Sequence, residues 1–428
     1  MSKLKFYEES LEKRRAILRE AGKIHEQRAS ETELAVLNEL SENVIGRLSL
    51  PLSVVPEVLV NDKLYTVPMA TEEPSVVAAA NHGVTVFNRA GGAVATSKRE
   101  GIYGQLLLSI DEDFSEQDFT AVNAAIPDFI ERLNRKYASL VQHGGGIRTI
   151  EPSLEKGLLE LRVLVNPAEA MGANKVNSIM ETLAQIMLTK PHVLETQFSI
   201  LSNYPTQLTT AKVWLPLNLL DKGCTDDELD AKATDKAKKI ADKFVTSADF
   251  AKKSQLRAPT NNKGIMNGVD SVLLATGNDF RAVEAATHMY ASLNGSYETL
   301  SNWSIETSRD IDFLVGELTI PLPIGVVGGS ISVRPDVWEA YDILGHPSVK
   351  ELAEVIATIG LANNFAALYA LTTSGIQAGH MKLQARNAAL AAGATLNELP
   401  AILPEILALK EFNSKQVEQI ITDFQNKE

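Results

Sequence analysis

Cysteine is almost absent from this chain, with Cys224 the single example in 428 residues. One cysteine excludes an internal disulfide framework and a cysteine-rich metal site, and it suits a reducing compartment. The sequence also lacks an apolar run of about 18 residues that could span a membrane, and its N-terminus is too highly charged for a signal peptide. We therefore predict a soluble, cytoplasmic protein.

An excess of basic charge is missing too, because 54 acidic residues outnumber 41 basic ones and give a net charge of −13. This balance argues against a general affinity for nucleic acid or anionic membranes, so neither is an expected partner. Any phosphate-bearing ligand would need locally concentrated cations. The apolar content of 45% and the length indicate a globular protein with two or three domains of roughly 100–200 residues each.

The densest candidate chemistry lies in residues 257–288. Lys263 stands in Asn-Asn-Lys-Gly, which predicts a turn, and residues 272–275 predict a short buried strand before Asp279 at the start of a helix. Such a strand could return the Asp279 carboxylate towards Lys263 and, with Arg257, form a site for an anionic substrate. A simpler interpretation stays open, in which Asp279 is an ordinary helix N-cap and Lys263 a solvated turn residue.

Two acids, Glu72 and Glu73, stand immediately before Pro74 and a helix of small residues, VVAAANHG. Their position has two interpretations. In one of them, one acid is a proton donor; in the other, both favour the helix dipole while Pro74 occupies the first helical position.

A long apolar stretch, residues 352–370, predicts a buried helix, and two glycines precede His380 shortly after it. A separate set of helices follows, and Asn413 with Gln416 three residues later resembles a capping box at the start of the last one. A hinged tail of this kind suits a mobile lid that carries a catalytic histidine. The other interpretation makes His380 a structural cap or a surface residue.

The middle of the chain predicts a compact α+β unit. The predicted strands are 105–110, 147–151, 158–165, 195–202 and an extra one at 208–216, and the predicted helices lie within 114–141, interrupted near Pro127, and at 174–188. The order βαββαβ is the ferredoxin-like pattern. We predict three domains in an α+β fold: a large mixed substrate-binding domain at 1–104 and 217–373, an inserted small ferredoxin-like cofactor-binding domain at 105–216, and a helical C-terminal flap at 374–428.

The turn at residues 169–174, EAMGAN, joins a predicted strand to a predicted helix. A helix N-terminus binds phosphate through its free N–H groups and its dipole. With one glycine the turn does not meet the G-x-G-x-x-G fingerprint of dinucleotide sites. An ordinary strand-to-helix turn would have the same sequence character.

Seven motifs together resemble one family. They are ENVIG (42–46), PMATEEPSVVAAA (68–80), EAMGANKVN (169–177), ILSN (200–203), RAPTNNKGIMNGVD (257–270), ATGND (275–279) and GIQAGHMKLQARN (375–387). In this order, and over nearly the whole chain, they resemble the class II 3-hydroxy-3-methylglutaryl-coenzyme A reductases of bacteria. The resemblance implies a homodimer with active sites at the subunit interface.

The resemblance also implies roles for individual residues. The implied catalytic residues are Glu73, Lys263, Asp279 and His380. The implied substrate-binding residues are Arg257, Ser75 and Asn267, which hold the carboxylate and hydroxyl, together with Asn203 beside the reacting carbonyl and Asn363 beside the coenzyme A pocket. The implied cofactor turn comprises Glu169, Met171, Gly172 and Asn174. The sequence departs from the family pattern at Glu169, where aspartate is usual, and at Asn363.

The implied reaction converts hydroxymethylglutaryl-coenzyme A into mevalonate and free coenzyme A with two NAD(P)H, through a hemithioacetal and mevaldehyde. Lys263 would neutralise the oxyanion that each hydride transfer creates, and Asp279 would keep that lysine charged. His380 would protonate the departing thiolate. Burial would raise the pKa of Glu73 while the neighbouring cation would lower it, so its protonation stays open. The competing hypothesis is a catalytically silent scaffold that binds coenzyme A or a nucleotide.

The helix that precedes Gly144 suggests the cofactor. Its sequence, RLNRKYASLVQH over 132–143, presents Arg135, Lys136 and Tyr137 and no carboxylate that would repel the 2′-phosphate of NADPH. We predict NADPH as the preferred cofactor and leave NADH open. A solvated basic helix face is the simpler interpretation. No metal is required, and no metal-binding cluster is expected.

Overall fold

The computed structural model describes residues 9–20, 31–229, 231–373, 385–409 and 413–426. The chain divides into two compact units, residues 1–51 and residues 52–428. The first unit contains helices α1 (Leu11–Glu20) and α2 (Glu31–Leu40). Arg15 is buried there and donates a hydrogen bond to the Ile45 carbonyl.

The second unit holds three sheets and many helices. Its strands are β1 (Leu52–Val60), β2 (Lys63–Ala70), β3 (Val94–Ser97), β4 (Ile102–Ile110), β5 (Gly146–Glu155), β6 (Leu158–Asn166), β7 (Val193–Leu201), β8 (Leu208–Pro216), β9 (Ser301–Ser308) and β10 (Ile311–Pro321). Its helices are α3 (Pro74–Arg89), α4 (Glu116–Lys136), α5 (Ala138–Gln142), α6 (Ala173–Met187), α7 (Asp235–Lys253), α8 (Arg257–Ala275), α9 (Phe280–Tyr290), α10 (Pro335–Leu344), α11 (Val349–Thr372), α12 (Leu399–Leu407) and α13 (Ser414–Gln425). The mixture confirms the predicted α+β class.

The ferredoxin-like part is confirmed by its sheet, in which the strand order is β5-β6-β4-β7 and every pair is antiparallel. Helices α4 and α6 cover it and share one buried apolar cluster with the strands. The predicted interruption of α4 near Pro127 is wrong, because the helix continues through it. Val122 and Phe129, on either side of the proline, are both buried, and this packing outweighs the roughly 3 kcal/mol that an internal proline costs.

The extra strand predicted at 208–216 exists, but it belongs to a different sheet. As β8 it pairs with β3 on one side and with β10 on the other, in the order β3-β8-β10-β9. The chain therefore leaves the ferredoxin-like sheet after β7. The hairpin β1-β2 forms the third sheet, and positive φ angles at Asn61 and Asp62 make the tight turn between its strands.

Helix α11 is the centre of the large core, as predicted from its apolar sequence. By length and composition it could cross a membrane, contrary to the expectation that no such run exists, yet 78% of its apolar window is buried inside the protein. Two glycines let neighbouring helices approach closely. A Cβ on Gly83 of α3 would lie 2.4 Å from the Ala362 carbonyl oxygen, and one on Gly360 would lie 2.9 Å from Val269 of α8.

Candidate active site

Lys263 lies inside helix α8, so the predicted turn at Asn-Asn-Lys-Gly and the predicted strand at 272–275 are both wrong. The asparagines are helical because their side chains are buried and bonded within the core. Asn261 accepts a hydrogen bond from the Asn364 side chain at 3.1 Å, and Asn262 donates to the Glu298 carbonyl at 2.9 Å. Tertiary hydrogen bonds thus override the turn preference of this composition.

Three helices meet at Asn363, which is buried on α11. Its side-chain nitrogen donates to the Val76 carbonyl at 3.1 Å in the first turn of α3. A Cβ on Gly268 of α8 would lie 2.5 Å from the Asn363 side-chain oxygen, so glycine is needed for this approach. Asn363 therefore holds the start of α3, with Glu73 and Ser75, against the middle of α8.

Glu73 is the N-cap of α3, and its carboxylate accepts the Ser75 backbone N–H at 3.2 Å. Its own backbone N–H donates to the Thr71 hydroxyl at 3.3 Å. Pro74 occupies the first helical position, as predicted. The helix-entry interpretation of this acid is confirmed, and capping fixes where the carboxylate stands without excluding proton transfer.

Two cations on α8 have no acidic partner in the part of the chain that the structure describes. Arg257 is half-buried at the first position of the helix, and burial lowers the pKa of its guanidinium. Lys263 is exposed, with Asn267 one turn further along the same face. A half-buried arginine that stands at a helix N-terminus without a described carboxylate partner favours binding of an anionic ligand.

Asp279 is the N-cap of α9, where its carboxylate accepts the Arg281 and Ala282 backbone N–H groups. The Arg281 guanidinium also pairs with it at 3.0 Å. The N-cap interpretation is therefore confirmed. Within the described ranges no hydrogen bond or ion pair joins Asp279 to Lys263, so the predicted pair is not formed in this structure.

The turn before Asp279 is connected to the expected cofactor turn. Gly277 ends α8 with a φ of 65°, and the Asn278 side chain accepts the Gly325 N–H at 2.9 Å. A Cβ on Gly325 would lie 2.3 Å from the Met171 backbone nitrogen. The Asp279 turn and the Met171 turn thus both approach the same residue, Gly325.

The expected cofactor turn has the features of a phosphate-binding helix start. Gly172 has a φ of 99°, where glycine is favoured, and no side chain among the described residues caps the first N–H groups of α6. Asn174 lies in this exposed first turn. Glu169 does not face the helix start, because its carboxylate accepts the Val349 N–H of α11 at 2.8 Å.

A cationic cluster lies between α4 and α6. Lys136 donates to the Thr182 hydroxyl at 2.9 Å, and Tyr137 donates to the Ser178 carbonyl at 2.7 Å. Lys175 lies over the Tyr137 ring at 5.6 Å and was not singled out from the sequence, although it stands three residues after Gly172. The third predicted residue, Arg135, instead pairs with Glu131 on its own helix.

A buried acid was also missed. Asp270 lies one turn beyond Asn267 on α8, and one of its carboxylate oxygens is buried with no hydrogen-bond partner among the described residues. Burial and then the adjacent Glu284 carboxylate raise the pKa of Asp270 to about 8. Glu284 in turn binds the His288 ring at 2.7 Å. A helical prediction for 257–275 would have placed Asp270 on the Lys263 face.

We expect Asp270→Asn to change the pH dependence of stability. Because the folded state keeps this proton to about pH 8 while the unfolded chain loses it near pH 4, rising pH destabilises the wild type across that window. The amide cannot ionise, so the variant should lose this slope and be more stable at pH 8 by about 1–3 kcal/mol. Urea unfolding at several pH values measures it, with exposed Asp227→Asn as the control. Parallel pH profiles for wild type and variant would contradict the assignment.

The remaining predicted residues are less constrained. Asn203 is exposed in the segment between β7 and β8. His380 lies outside the described residues.

No metal-binding cluster was expected, but the described residues contain one group of side chains that could hold an ion. The ligand atoms of Asp111, Asp113 and His192 lie within 4.8 Å of one another at one end of the ferredoxin-like sheet, apart from the helices that meet at Asn363.

Comparison with known families tests the family resemblance over the whole chain. The family model described as hydroxymethylglutaryl-coenzyme A reductase matches residues 10–385. This chain belongs to the hydroxymethylglutaryl-coenzyme A reductase family. The 3-hydroxy-3-methylglutaryl-coenzyme A reductase of Archaeoglobus fulgidus is 36% identical over 376 residues, which cover 86% of this chain and 81% of that protein. A probable 3-hydroxy-3-methylglutaryl-coenzyme A reductase of Borreliella burgdorferi is 37% identical over 350 residues. The aligned region covers 81% of this chain and 77% of that protein.

Solved structures agree with the family assignment. A class II 3-hydroxy-3-methylglutaryl-CoA reductase from Streptococcus pneumoniae, bound to NADPH in open conformations, superposes with a TM-score of 0.73 at 38% identity. The match covers 97% of this reductase chain and 100% of that one. Class membership and fold predicted from the seven motifs are therefore confirmed.

Proposed function

We propose that this reductase converts hydroxymethylglutaryl-coenzyme A into mevalonate and coenzyme A in the isoprenoid pathway, with two molecules of NADPH. The observation that supports the proposal is the meeting of α3, α8 and α11 at Asn363, whose side chain bonds Val76 shortly after the Glu73 cap and lies against Gly268, the residue next to Asn267. Members of the family are oxidoreductases, and the full span of the match supports the same activity here.

The substrate carries a carboxylate and a tertiary hydroxyl, and α8 offers groups for both. Arg257 is half-buried and has no described acidic partner, so a substrate carboxylate would restore its charge balance. Ser75, Asn267 and Asn203 supply hydrogen-bonding side chains for the hydroxyl and the reacting carbonyl. We assign Asn363 to positioning, because its amide nitrogen bonds Val76 of α3 and its side-chain oxygen lies against Gly268 of α8.

Lys263 is proposed as the group that stabilises the oxyanion. Each hydride transfer places negative charge on the substrate oxygen, and an ammonium that is already in position lowers the energy of both transition states. Lys263 lies twelve residues, or about 18 Å, before the end of α8, and Asp279 follows that end. We therefore propose that the aspartate that orients Lys263 is Asp279 of the partner subunit in the homodimer. Glu73 donates and recovers the proton of the carbonyl oxygen, and His380 protonates the thiolate that leaves from the hemithioacetal.

NADPH, when bound, supplies the hydride. The residues of the turn at Met171 and Gly172 fit its diphosphate, because no described side chain caps the start of α6 and a helix N-terminus binds phosphate through its N–H groups. Lys136, Lys175 and Tyr137 fit a 2′-phosphate, which needs a positive field on this acidic chain. We retain Glu169, Asn174 and Arg135 as flanking positions of this site. NADH lacks the phosphate that the two lysines would bind.

We expect Lys136→Glu to lower kcat/KM for NADPH about tenfold at low salt, because a carboxylate would face the 2′-phosphate. Use of NADH should change little. Lys156→Glu is the matched control, since this lysine is exposed in the turn between β5 and β6 and lies outside α4 and α6. Steady-state kinetics with both cofactors measures the effect. Equal losses in the two variants, or wild-type use of NADH as good as that of NADPH, would refute the 2′-phosphate site.

We propose that the chain comprises a large substrate-binding domain, a ferredoxin-like cofactor-binding domain and a C-terminal flap. We also propose that it forms a homodimer in the cytoplasm. Exposed apolar side chains support a partner surface near the site, since Leu256 is 90% exposed immediately before α8 and Phe250 is 63% exposed at the end of α7. Sedimentation velocity tests the dimer.

A silent binding scaffold of the same fold is the competing function. Purified protein should oxidise NADPH only when hydroxymethylglutaryl-coenzyme A is present. Tight binding of both ligands without any oxidation would favour the scaffold and contradict the proposal.

A further inference from the structure

Asp270 of α8 and Glu284 of α9 form a carboxyl pair to which the proposed mechanism gives no role. The two groups are hydrogen-bonded to each other, and burial together with the Glu284 charge raises the pKa of Asp270 to about 8. Ionised carboxylates can only accept hydrogen bonds, so this pair must hold a proton at neutral pH. One Asp270 oxygen is buried without a hydrogen-bond partner in the described part of the chain. The pair therefore stores a proton next to an oxygen that is not engaged.

Two more groups continue the hydrogen bonding from Glu284 towards the surface. The His288 Nε2 atom lies 2.7 Å from a Glu284 oxygen, and the Nδ1 atom lies 2.8 Å from the Tyr297 hydroxyl. The His288 and Tyr297 rings also contact each other, with their centroids 5.8 Å apart. When Tyr297 donates to Nδ1, the ring hydrogen is on Nε2 and faces the Glu284 carboxylate. Because His288 is exposed, this series of four groups begins at solvent.

The other end of the series lies on the face of α8 that we assign to the substrate. Asp270 is seven residues after Lys263 and three after Asn267, and this spacing places all three on one side of the helix. At 1.5 Å per residue, Asp270 lies about 5 Å along the axis from Asn267 and about 10 Å from Lys263. In the described ranges, His288 is the one cation within ion-pair distance of either carboxyl group. No described lysine or arginine therefore fixes Asp270 or Glu284 in its ionised form.

We propose that the series from Tyr297 to Asp270 is a proton path from solvent to the substrate-binding face of α8. This path rests on the proposed function and adds to it the supply of protons. Each hydride transfer forms a C–H bond, oxidises NADPH and moves the carbonyl electron pair to oxygen, which takes up one proton. Collapse of the hemithioacetal moves a proton from oxygen to sulfur and takes none from outside. The complete reaction therefore consumes two solvent protons, one for each hydride.

One proton moves along the path in each hydride step. Asp270 releases its proton on the substrate side, where it replaces the one that Glu73 donates, and the carboxyl pair takes a proton from His288 Nε2. Nδ1 takes the Tyr297 hydroxyl proton in exchange, and the tyrosine oxygen takes one from water. Every group ends with the charge with which it began, and the exposed ring regains its first tautomer by exchange with solvent. Such a path is useful because the site excludes water during hydride transfer.

The test interrupts the path at two positions with Glu284→Gln and His288→Gln, because an amide forms hydrogen bonds but does not titrate. His346→Gln is the matched control, since His346 is also exposed and pairs with the carboxylate four residues earlier, Asp342, at 2.9 Å. Oxidation of NADPH by the full-length protein, with the thioester and with free mevaldehyde, is measured between about pH 6 and about pH 9 in H2O and in D2O. Melting curves verify that each variant is folded.

We expect both test variants to lower kcat for either substrate at least about tenfold with KM unchanged, because slow proton transfer then limits each hydride step. The loss should grow with pH, as solvent protons become scarce, and the solvent isotope effect on kcat should exceed that of the wild type. Imidazole should restore part of the activity of His288→Ala and none of that of Glu284→Gln. The His346→Gln control should match the wild type in every measurement.

Wild-type kcat and isotope effects in both test variants across the pH range would overturn the proton path. A loss of equal size at every pH and in both solvents would overturn it too, because a merely structural defect gives that result. Wild-type protein that fails to oxidise NADPH with the thioester would refute the reductase proposal, and the path with it. An active wild type with unaffected variants refutes the path alone.

Discussion

Replacing Lys263 by alanine should lower kcat by at least about a thousandfold for the thioester and for free mevaldehyde alike. Both reductions build negative charge on a substrate oxygen, and loss of a preorganised electrostatic partner costs about 10²–10³ in rate even for a neutral donor. Lys263 is exposed on α8 and has no described partner, so its removal should leave the fold intact. Stopped-flow or steady-state oxidation of NADPH with each substrate measures the loss.

Lys253→Ala is the control for that experiment, because this lysine is also exposed and lies at the end of the preceding helix. Its activity should equal that of the wild type. A Lys263→Ala enzyme that reduced mevaldehyde at the normal rate would show that another group stabilises the oxyanion. An unfolded variant is detected by circular dichroism before kinetics begins.

Gly83→Ala should strongly destabilise the protein, by about 2–4 kcal/mol. The added Cβ would lie 2.4 Å from the Ala362 carbonyl oxygen and 2.8 Å from its carbonyl carbon, and backbone in the centre of a close-packed core cannot move away cheaply. Separation of α3 from α11 would also weaken the hydrogen bond between Asn363 and Val76. Denaturant unfolding measures the stability, and activity should fall with it because this bond positions the start of α3.

Gly264→Ala gives the matched comparison, since a methyl group added to this helical glycine would meet no neighbouring atom within 4 Å. Alanine is the better helix former, so the change should be neutral or stabilise by up to about 1 kcal/mol. Similar destabilisation at both positions would mean that the close approach of α3 to α11 is not what requires glycine at 83.

The strands and helices whose periodicity is local were predictable. The elements of the ferredoxin-like order and the buried helix α11 each follow from a pattern within about 20 residues, and the structure confirms them. The strand β8 could not be assigned to its sheet, because pairing with β3 and β10 is decided by residues that are more than 90 positions away in the chain.

Helix α8 was mispredicted for a different reason. Asparagine and glycine favour turns when they are exposed, but here Asn261 and Asn262 are buried in a hydrogen-bonded network and Gly268 admits Asn363. Such tertiary partners are invisible to local propensity. Asp270 was missed for the same reason, because it shares a face with Lys263 and Asn267 only when the segment is helical.

The family motifs predicted more about this protein than the hydrophobic periodicity did. They identified the correct family because seven short sequences had to occur in one order, whereas each of them separately had an ordinary structural explanation. For Glu73 and Asp279 that explanation, helix capping, is also true in the structure. Capping and catalysis are compatible, because a cap fixes a carboxylate at one position without using all of its lone pairs.

The most direct test of the central claim is the stoichiometry of the complete reaction. With NADPH in excess and hydroxymethylglutaryl-coenzyme A limiting, the moles of NADPH oxidised, of free thiol released and of mevalonate formed are measured at completion. The proposal predicts two NADPH for each thiol and each mevalonate. One NADPH per thiol, with mevaldehyde as the final product, or binding without any oxidation would contradict it.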